Sequence, residues 1–161
     1  MKVIVIGPRG KMGKLITQVA AERDDMEMVA GVAPAGRDYV GQDLGIVALI
    51  GRNLGVPVVD DLAAVIDGCD VIIDFSTREN ALKVLDLAVK HGKALVCGTT
   101  GFSEEEFARF KEAAKTIPML YAANTSKLVN IMNKLLEMVT KTLGEDADIE
   151  ILEMHDQWKK D

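Results

Sequence analysis

The 161-residue chain is long enough for one main domain with its own core. Its composition, 48% hydrophobic and 27% charged, is that of an ordinary folded protein and excludes disorder. A formal net charge of -6, with no lysine and arginine run interleaved by aromatics, argues against a nucleic-acid partner, and no eighteen apolar residues run together as a membrane span requires.

The chain starts "MKVIVIGPRG". This apolar run is too short for the core of a signal peptide and no small-residue cleavage site follows it, so a cytoplasmic protein is expected. Lys2 to Ile6, "KVIVI", halts at glycine and predicts a strand buried on both faces of a parallel sheet. Met12, Leu15, Ile16, Val19 and Ala20 then fall at helical spacing, one apolar stripe on a helix from Lys11 to Glu22. Met26 to Ala33 reads as a second strand. Between Pro34 and Pro57 five glycines and two prolines predict mostly loop, with one helical turn.

Strands are expected again over Asp70 to Phe75, "DVIIDF", and Ala94 to Gly98, "ALVCG", with a helix over Glu79 to Lys90 between them. His91 follows that helix near its C-terminal end, where a favourable dipole contact or a plain surface position suits it better than a ligand role. Ser103 and Glu106 have capping-box spacing, and Phe107, Phe110 and Ala114 give the next helix an apolar face. "IPMLYAAN" reads as the following strand. Leu128, Met132, Leu135, Leu136, Val139 and Leu143 keep helical spacing, with Glu137 and Lys141 paired outside and Gly144 as the stop. Ile149 and Ile151 alternate with acids in "ADIEILE", predicting a further strand over Ala147 to Glu153.

Strand and helix alternation predicts an α/β fold, a Rossmann-like doubly wound parallel sheet. Its first turn, "GPRGKMG", carries glycines at 7, 10 and 13 directly after a buried strand and before an amphipathic helix. Such glycines let the backbone approach a pyrophosphate, whose charge rests on the free N–H groups of the helix start. The acid that usually holds the adenosine ribose about 20 residues further on is missing: Ala33 stands there, and no acid follows until Asp38. Without it, Arg37 or Arg9 could offer a guanidinium to a 2′-phosphate, which favours NADPH over NADH, although Arg37 reads equally well as an ordinary loop arginine.

Three further strand ends, "DFSTREN" (residues 74–80), "GTTG" (98–101) and "AANTS" (122–126), bring small and hydroxyl-bearing residues to the edge where open parallel sheets bind ligands. Each alone reads as a turn or cap. Cys69 and Cys97 have neither CxxC spacing nor a neighbouring histidine, which predicts reduced packing thiols and no metal.

Together "GPRGKMG", "IIDFSTRE", "GTTGF", "YAANTSKLVN" and "DIEILEMHDQWKKD" resemble the dihydrodipicolinate reductase family of the diaminopimelate route to lysine, over nearly the whole chain. The resemblance implies that Gly7, Pro8, Arg9, Gly10, Lys11 and Met12 hold the pyrophosphate of NADPH or NADH. It implies that Gly98, Thr99, Thr100, Ala122, Ala123, Asn124 and Thr125 line the nicotinamide half, with Phe75 beside them. Hydride then passes to a cyclic dicarboxylate substrate, with His155 as proton donor and Lys159 as second acid and carboxylate partner, roles that suit a group titrating near neutrality and a compact cation. Asp156 takes the place of a second, substrate-contacting histidine. Like charges about 4 Å apart cost roughly 1 kcal/mol in water and about 4 at an effective dielectric near 20, so substrate affinity is expected to fall roughly tenfold to a thousandfold.

The family pattern also differs at Thr125, usually Phe, and at Lys127 and Leu128, usually an apolar residue and glycine. It implies a dinucleotide-binding domain over residues 1–144, the first strand and catalytic-loop start of a second domain over 145–161, and a sheet-rich substrate and oligomerisation domain, built as a homotetramer in the full-length family, that these residues lack.

Overall fold

The computed structural model describes residues 1–152 and 154. They fall into two compact units, Met1–Ala122 and a second that begins at Ala123.

The first unit is built on a six-stranded sheet: β1 (Lys2–Ile6), β2 (Glu27–Val32), β3 (Val58–Val59), β4 (Val71–Asp74), β5 (Ala94–Cys97) and β6 (Met119–Tyr121). The strands lie in the order β3-β2-β1-β4-β5-β6 and every pairing is parallel. This is the doubly wound dinucleotide-fold order, reversing direction between β1 and β4. Helices α1 (Lys11–Ala21), α2 (Leu44–Val47), α3 (Arg78–His91) and α4 (Glu104–Ala113) connect the strands.

Strand alternation sorts the core into two faces. Ile4 and Ile6 of β1, Ile72 of β4 and Leu95 and Cys97 of β5 pack with Ala81, Val84, Leu85 and Ala88 of α3 and with Phe110 and Ala113 of α4. Val3 and Val5, with Val71, face the other way, towards Ile16 of α1. Because β1 and β4 are covered on both faces, they carry unbroken apolar runs rather than an alternating pattern. Both cysteines are buried free thiols, as expected; burial pushes the Cys97 thiol up to about 11.

Two details differ from expectation in this unit. The expected stripe of Met12, Leu15, Ile16, Val19 and Ala20 is buried only in part: Ala20 is buried and Ile16 packs against Val3 and Val5, but Leu15 and Val19 are 56% and 57% exposed, and Gly13 and Thr17 are buried in their place. The cause is close approach. A Cβ on Gly13 would collide with the Gly7 carbonyl, so the helix lies directly on the glycine turn, with small residues inside and the Thr17 hydroxyl donating to the Gly13 carbonyl at 2.7 Å. The second difference is β3, which lies just beyond the 34–57 segment read as loop, in residues given no element from sequence; its two residues are too few to show a period.

In the second unit α5 (Lys127–Leu143) stops at Gly144, as expected, and its start is capped by the Ser126 side chain. Glu137 accepts from both Lys134 and Lys141, at 3.0 and 2.7 Å. Residues 147–152 form no strand. Their alternating isoleucines need a neighbouring strand before they can form a ladder, and none pairs with them among the described residues.

Candidate functional site

A cavity of about 710 Å³ opens at the carboxyl ends of β1, β2 and β4, beside the point where the strand order reverses. Its volume lies within the range of small-molecule sites. Gly7 and Gly10 border it on one side and Phe75, Ser76 and Thr77 on another, with Tyr39 among the remaining lining residues.

The glycine turn forms because β1 ends where its backbone is still tied to the sheet. The Gly7 N–H donates to the Val32 carbonyl at 2.8 Å, and the Gly10 N–H donates back to the Gly7 carbonyl at 3.0 Å. Gly10 is then the N-cap of α1, and no side chain caps that helix. Pro8 is buried against β2, where a Cβ on Gly31 would come within 3.0 Å of its ring. Arg9 and Lys11 are exposed, and Met12 is partly so.

The turn after β4 is set by Asp74. This carboxylate is fully buried, and its Oδ1 accepts from the Ser76 N–H at 2.8 Å. The Ser76 hydroxyl in turn accepts from Asn80 of α3 at 3.0 Å. Asp74 Oδ2 and the Thr99 hydroxyl are buried without a hydrogen-bond partner. Burial pushes the Asp74 carboxyl above the usual carboxylate range, against the opposing pull of Ser76. Thr77 is the N-cap of α3, and here too no side-chain cap is made.

These uncapped starts set α1 and α3 apart. The N-termini of α2, α4 and α5 are each satisfied by a side chain: Asp43, the reciprocal pair Ser103 and Glu106, and Ser126. The two helices whose first turns border the cavity leave those N–H groups uncapped, and such groups with their helix dipoles attract anions.

Directly after β5, Gly98 meets Phe75 so closely that a Cβ there would overlap the ring, and the Gly98 N–H donates to the Asp74 carbonyl at 2.9 Å. Thr99 is buried and Thr100 half-buried. The Ala122 N–H donates to the Cys97 carbonyl at 3.1 Å, extending the β5 and β6 pairing by one step. Ala123, Asn124 and Thr125 belong to the second unit, where Asn124 Oδ1 accepts from the Ser126 N–H at 2.8 Å. His155, Asp156 and Lys159 lie outside the described residues.

Of the expected residues, Gly7, Gly10 and Phe75 therefore share one cavity, with Gly98 directly behind Phe75. Ser76 and Asn80, from the 74–80 strand end expected to face a ligand, also line it, as do Tyr39, Asp60 and Asp61, which were not singled out from sequence. The four-residue spacing of Ser76 and Asn80 was a readable signal. Asp60 and Asp61 follow β3, so overlooking that strand concealed them.

The His91 ring closes the far end of α3, its Nδ1 lying 2.8 Å from Asp67, a structural contact rather than part of the cavity. Among the described residues no cluster of His, Cys, Asp or Glu is arranged to hold a metal ion, and no helix is long and apolar enough to cross a membrane.

The family described as "Dihydrodipicolinate reductase, N-terminus" matches residues 1–125. Proteins named 4-hydroxy-tetrahydrodipicolinate reductase from Hahella chejuensis and Geobacter metallireducens are 41% and 46% identical to 99% and 100% of this chain. The chain spans 60% of the length of each. A solved structure entitled dipicolinate-bound dihydrodipicolinate reductase, from Paenisporosarcina sp. TG-14, superposes with a TM-score of 0.70 at 26% identity, covering 87% of this chain and 53% of that one. A structure of RSP in complex with beta-NADH has a TM-score of 0.57 at 15% identity, covers 90% of this chain and 60% of that one, and is a likeness of fold alone. With its matching sequence, sheet order and glycine turn, this chain belongs to the dihydrodipicolinate reductase N-terminal family.

Proposed function

We propose that this chain carries the coenzyme-binding domain, over residues 1–144, of a cytoplasmic 4-hydroxy-tetrahydrodipicolinate reductase of lysine biosynthesis, and that its cavity takes NADPH or NADH. The observation that carries this reading is the pair of uncapped helix starts on one cavity at the β1/β4 reversal point. Residues 7–12 suit the pyrophosphate: Gly7 and Gly10 line the cavity, and Gly13 lets α1 begin directly against the turn. Phe75, Gly98, Thr99 and Thr100, with Ala122, Ala123, Asn124 and Thr125, are assigned to the nicotinamide half. The buried, unpartnered Asp74 Oδ2 and Thr99 hydroxyl lie in the two turns assigned to this end and support a polar ligand group there.

The bound reduced nicotinamide supplies a hydride. Around it the chain's own groups orient the ring, exclude water and deliver a proton. His155 is assigned as the donor of that proton, and Lys159 as the cation for a substrate carboxylate and second acid. Asp156 is assigned to the substrate side, where its charge opposes a dicarboxylate and lowers affinity. Residues 145–161 then begin the second domain of a protein that assembles as a homotetramer.

Calorimetric titration of the chain with NADH and with NADPH tests the coenzyme reading. Saturable heat with at least one is expected, and none with either rejects it. Turnover of 4-hydroxy-tetrahydrodipicolinate by these 161 residues is expected to be very slow, and a His155→Gln variant is expected to abolish what remains. Unchanged residual turnover in that variant removes the role given to His155.

A further inference from the structure

The wall beyond β2, where dinucleotide folds receive the adenosine ribose, is formed by Ala33, Pro34 and Ala35 and carries no charge. Asp60, Asp61, Glu79 and Lys83 are charged lining residues of the cavity, and Arg9 and Asp38 form an ion pair beside it. Arg9 leaves the glycine turn and places its guanidinium carbon 4.9 Å from the ring centroid of Tyr39, itself a lining residue of the cavity. Its Nη1 donates to Asp38 Oδ1 at 3.0 Å. Arg9 and Asp38 are both largely solvated, with side chains 54% and 81% exposed.

We propose that Arg9, laid on Tyr39, is the receptor for the 2′-phosphate of NADPH, and that Asp38 is its built-in competitor, so that this pair sets the coenzyme preference. The inference rests on the reading of the cavity as a dinucleotide site. A guanidinium stacked on an aromatic ring has its plane fixed while its N–H edges stay free to pair in that plane, the geometry that suits a phosphate. Asp38 engages that edge through one nitrogen only. A phosphate approaching Arg9 displaces Asp38 or meets its negative charge. A ribose without the phosphate leaves the pair intact.

Arg37, also exposed, is the other guanidinium of the segment and provides the comparison. It immediately precedes Asp38, but no stacking contact with the cavity-lining Tyr39 organises it as it does Arg9. The same argument gives Tyr39 a positioning role: removal of the ring leaves the arginine charge in place and removes its fixed plane.

The test is titration of the intact chain and its variants with NADPH, NADH, 2′,5′-ADP and 5′-AMP at one fixed ionic strength. R9Q is expected to weaken NADPH and 2′,5′-ADP by about tenfold or more, equivalent to about 1.4 kcal/mol, while NADH and 5′-AMP change by less than about twofold. D38N is expected to tighten NADPH and 2′,5′-ADP by about threefold to tenfold, Y39L to weaken them less than R9Q does, and R37Q to leave them unchanged. Circular dichroism of each variant controls for folding. Equal weakening of both coenzymes by R9Q, no effect of R9Q, or a selective loss in R37Q instead would each overturn the assignment. Absence of saturable binding of both coenzymes to the unsubstituted chain overturns the dinucleotide reading itself, an outcome distinct from a failure of selectivity.

Discussion

The Phe75 ring fills the space that a Cβ on Gly98 would occupy. These residues directly follow the adjacent strands β4 and β5, so one contact fixes the distance between two turns assigned to the nicotinamide end. Gly98→Ala is expected to cost about 1–3 kcal/mol through overpacking, read as a lower urea midpoint. The double variant with Phe75→Ala is expected to cost less than the sum of the single changes, because the collision is gone. Strict additivity of the two would remove the contact from consideration.

Asp43 ties the loop after β2 together. Its carboxylate accepts from the N–H groups of Gly45, Leu54, Gly55 and Val56 at 2.8, 2.9, 2.7 and 3.2 Å. Burial alone would raise its pKa, but these four donors together hold it below the usual carboxylate range. The folded-state value is therefore the lower one. The contribution is fully present above the unfolded value of about 3.9 and is lost as pH falls through the folded one. Asp43→Asn is expected to cost about 2 kcal/mol at neutral pH, since the amide nitrogen cannot accept, and progressively less in acid. Urea unfolding at pH 7 and in acid would show the gap closing; a constant gap speaks against it.

Asp74 has the opposite sign. Burial raises its folded-state pKa, so between the unfolded carboxylate value and the folded one the native state binds more protons, and stability falls as pH rises through that window. Asp74→Asn keeps the acceptor for the Ser76 N–H and removes the buried charge. It is expected to gain about 1–2 kcal/mol relative to the parent at pH 7, and to lose that advantage towards pH 4. Parallel stability profiles for the two proteins across this range would reject the account.

At the start of α4, Ser103 Oγ accepts from the Glu106 N–H while the Glu106 carboxylate accepts from the Ser103 N–H, at 3.2 and 2.9 Å. Ser103→Ala is expected to lower stability by about 1 kcal/mol, and Ser103→Gly by only a few tenths. Thermal unfolding would distinguish the two; equal losses would mean that the hydroxyl contributes nothing.

Much of this fold was legible because its strands are buried on both faces. "KVIVI" and "VIID" become β1 and β4 almost residue for residue, since an unbroken apolar run closed by a turn or polar residue has few alternatives in a short segment. Ser103 and Glu106 were equally readable, because a capping box is a local arrangement of two side chains and two backbone groups.

What sequence did not reveal depended on contacts made at a distance. The buried side of α1 is chosen by Gly13 pressing on Gly7, and that approach leaves Met12, Leu15 and Val19 of the expected stripe exposed while Ile16 and Ala20 stay inside. The pairing of Arg9 with Asp38 spans 29 positions and follows no period. Asp74 could be placed at a strand end, but its burial without a partner for Oδ2 emerges only once β4 and β5 are side by side.

The uncapped first turns of α1 and α3 have a consequence for hydrogen exchange. Amides that lack an acceptor within the protein exchange quickly with solvent even while the helices behind them are slow. An anionic ligand seated between the two helices would act as a cap common to both. The amides of Lys11, Met12, Arg78 and Glu79 would then slow together on a single binding isotherm, although residues from the first pair to the second are more than sixty positions apart. Two first turns that fray separately in the free protein would become one cooperative element, stabilised in proportion to ligand concentration.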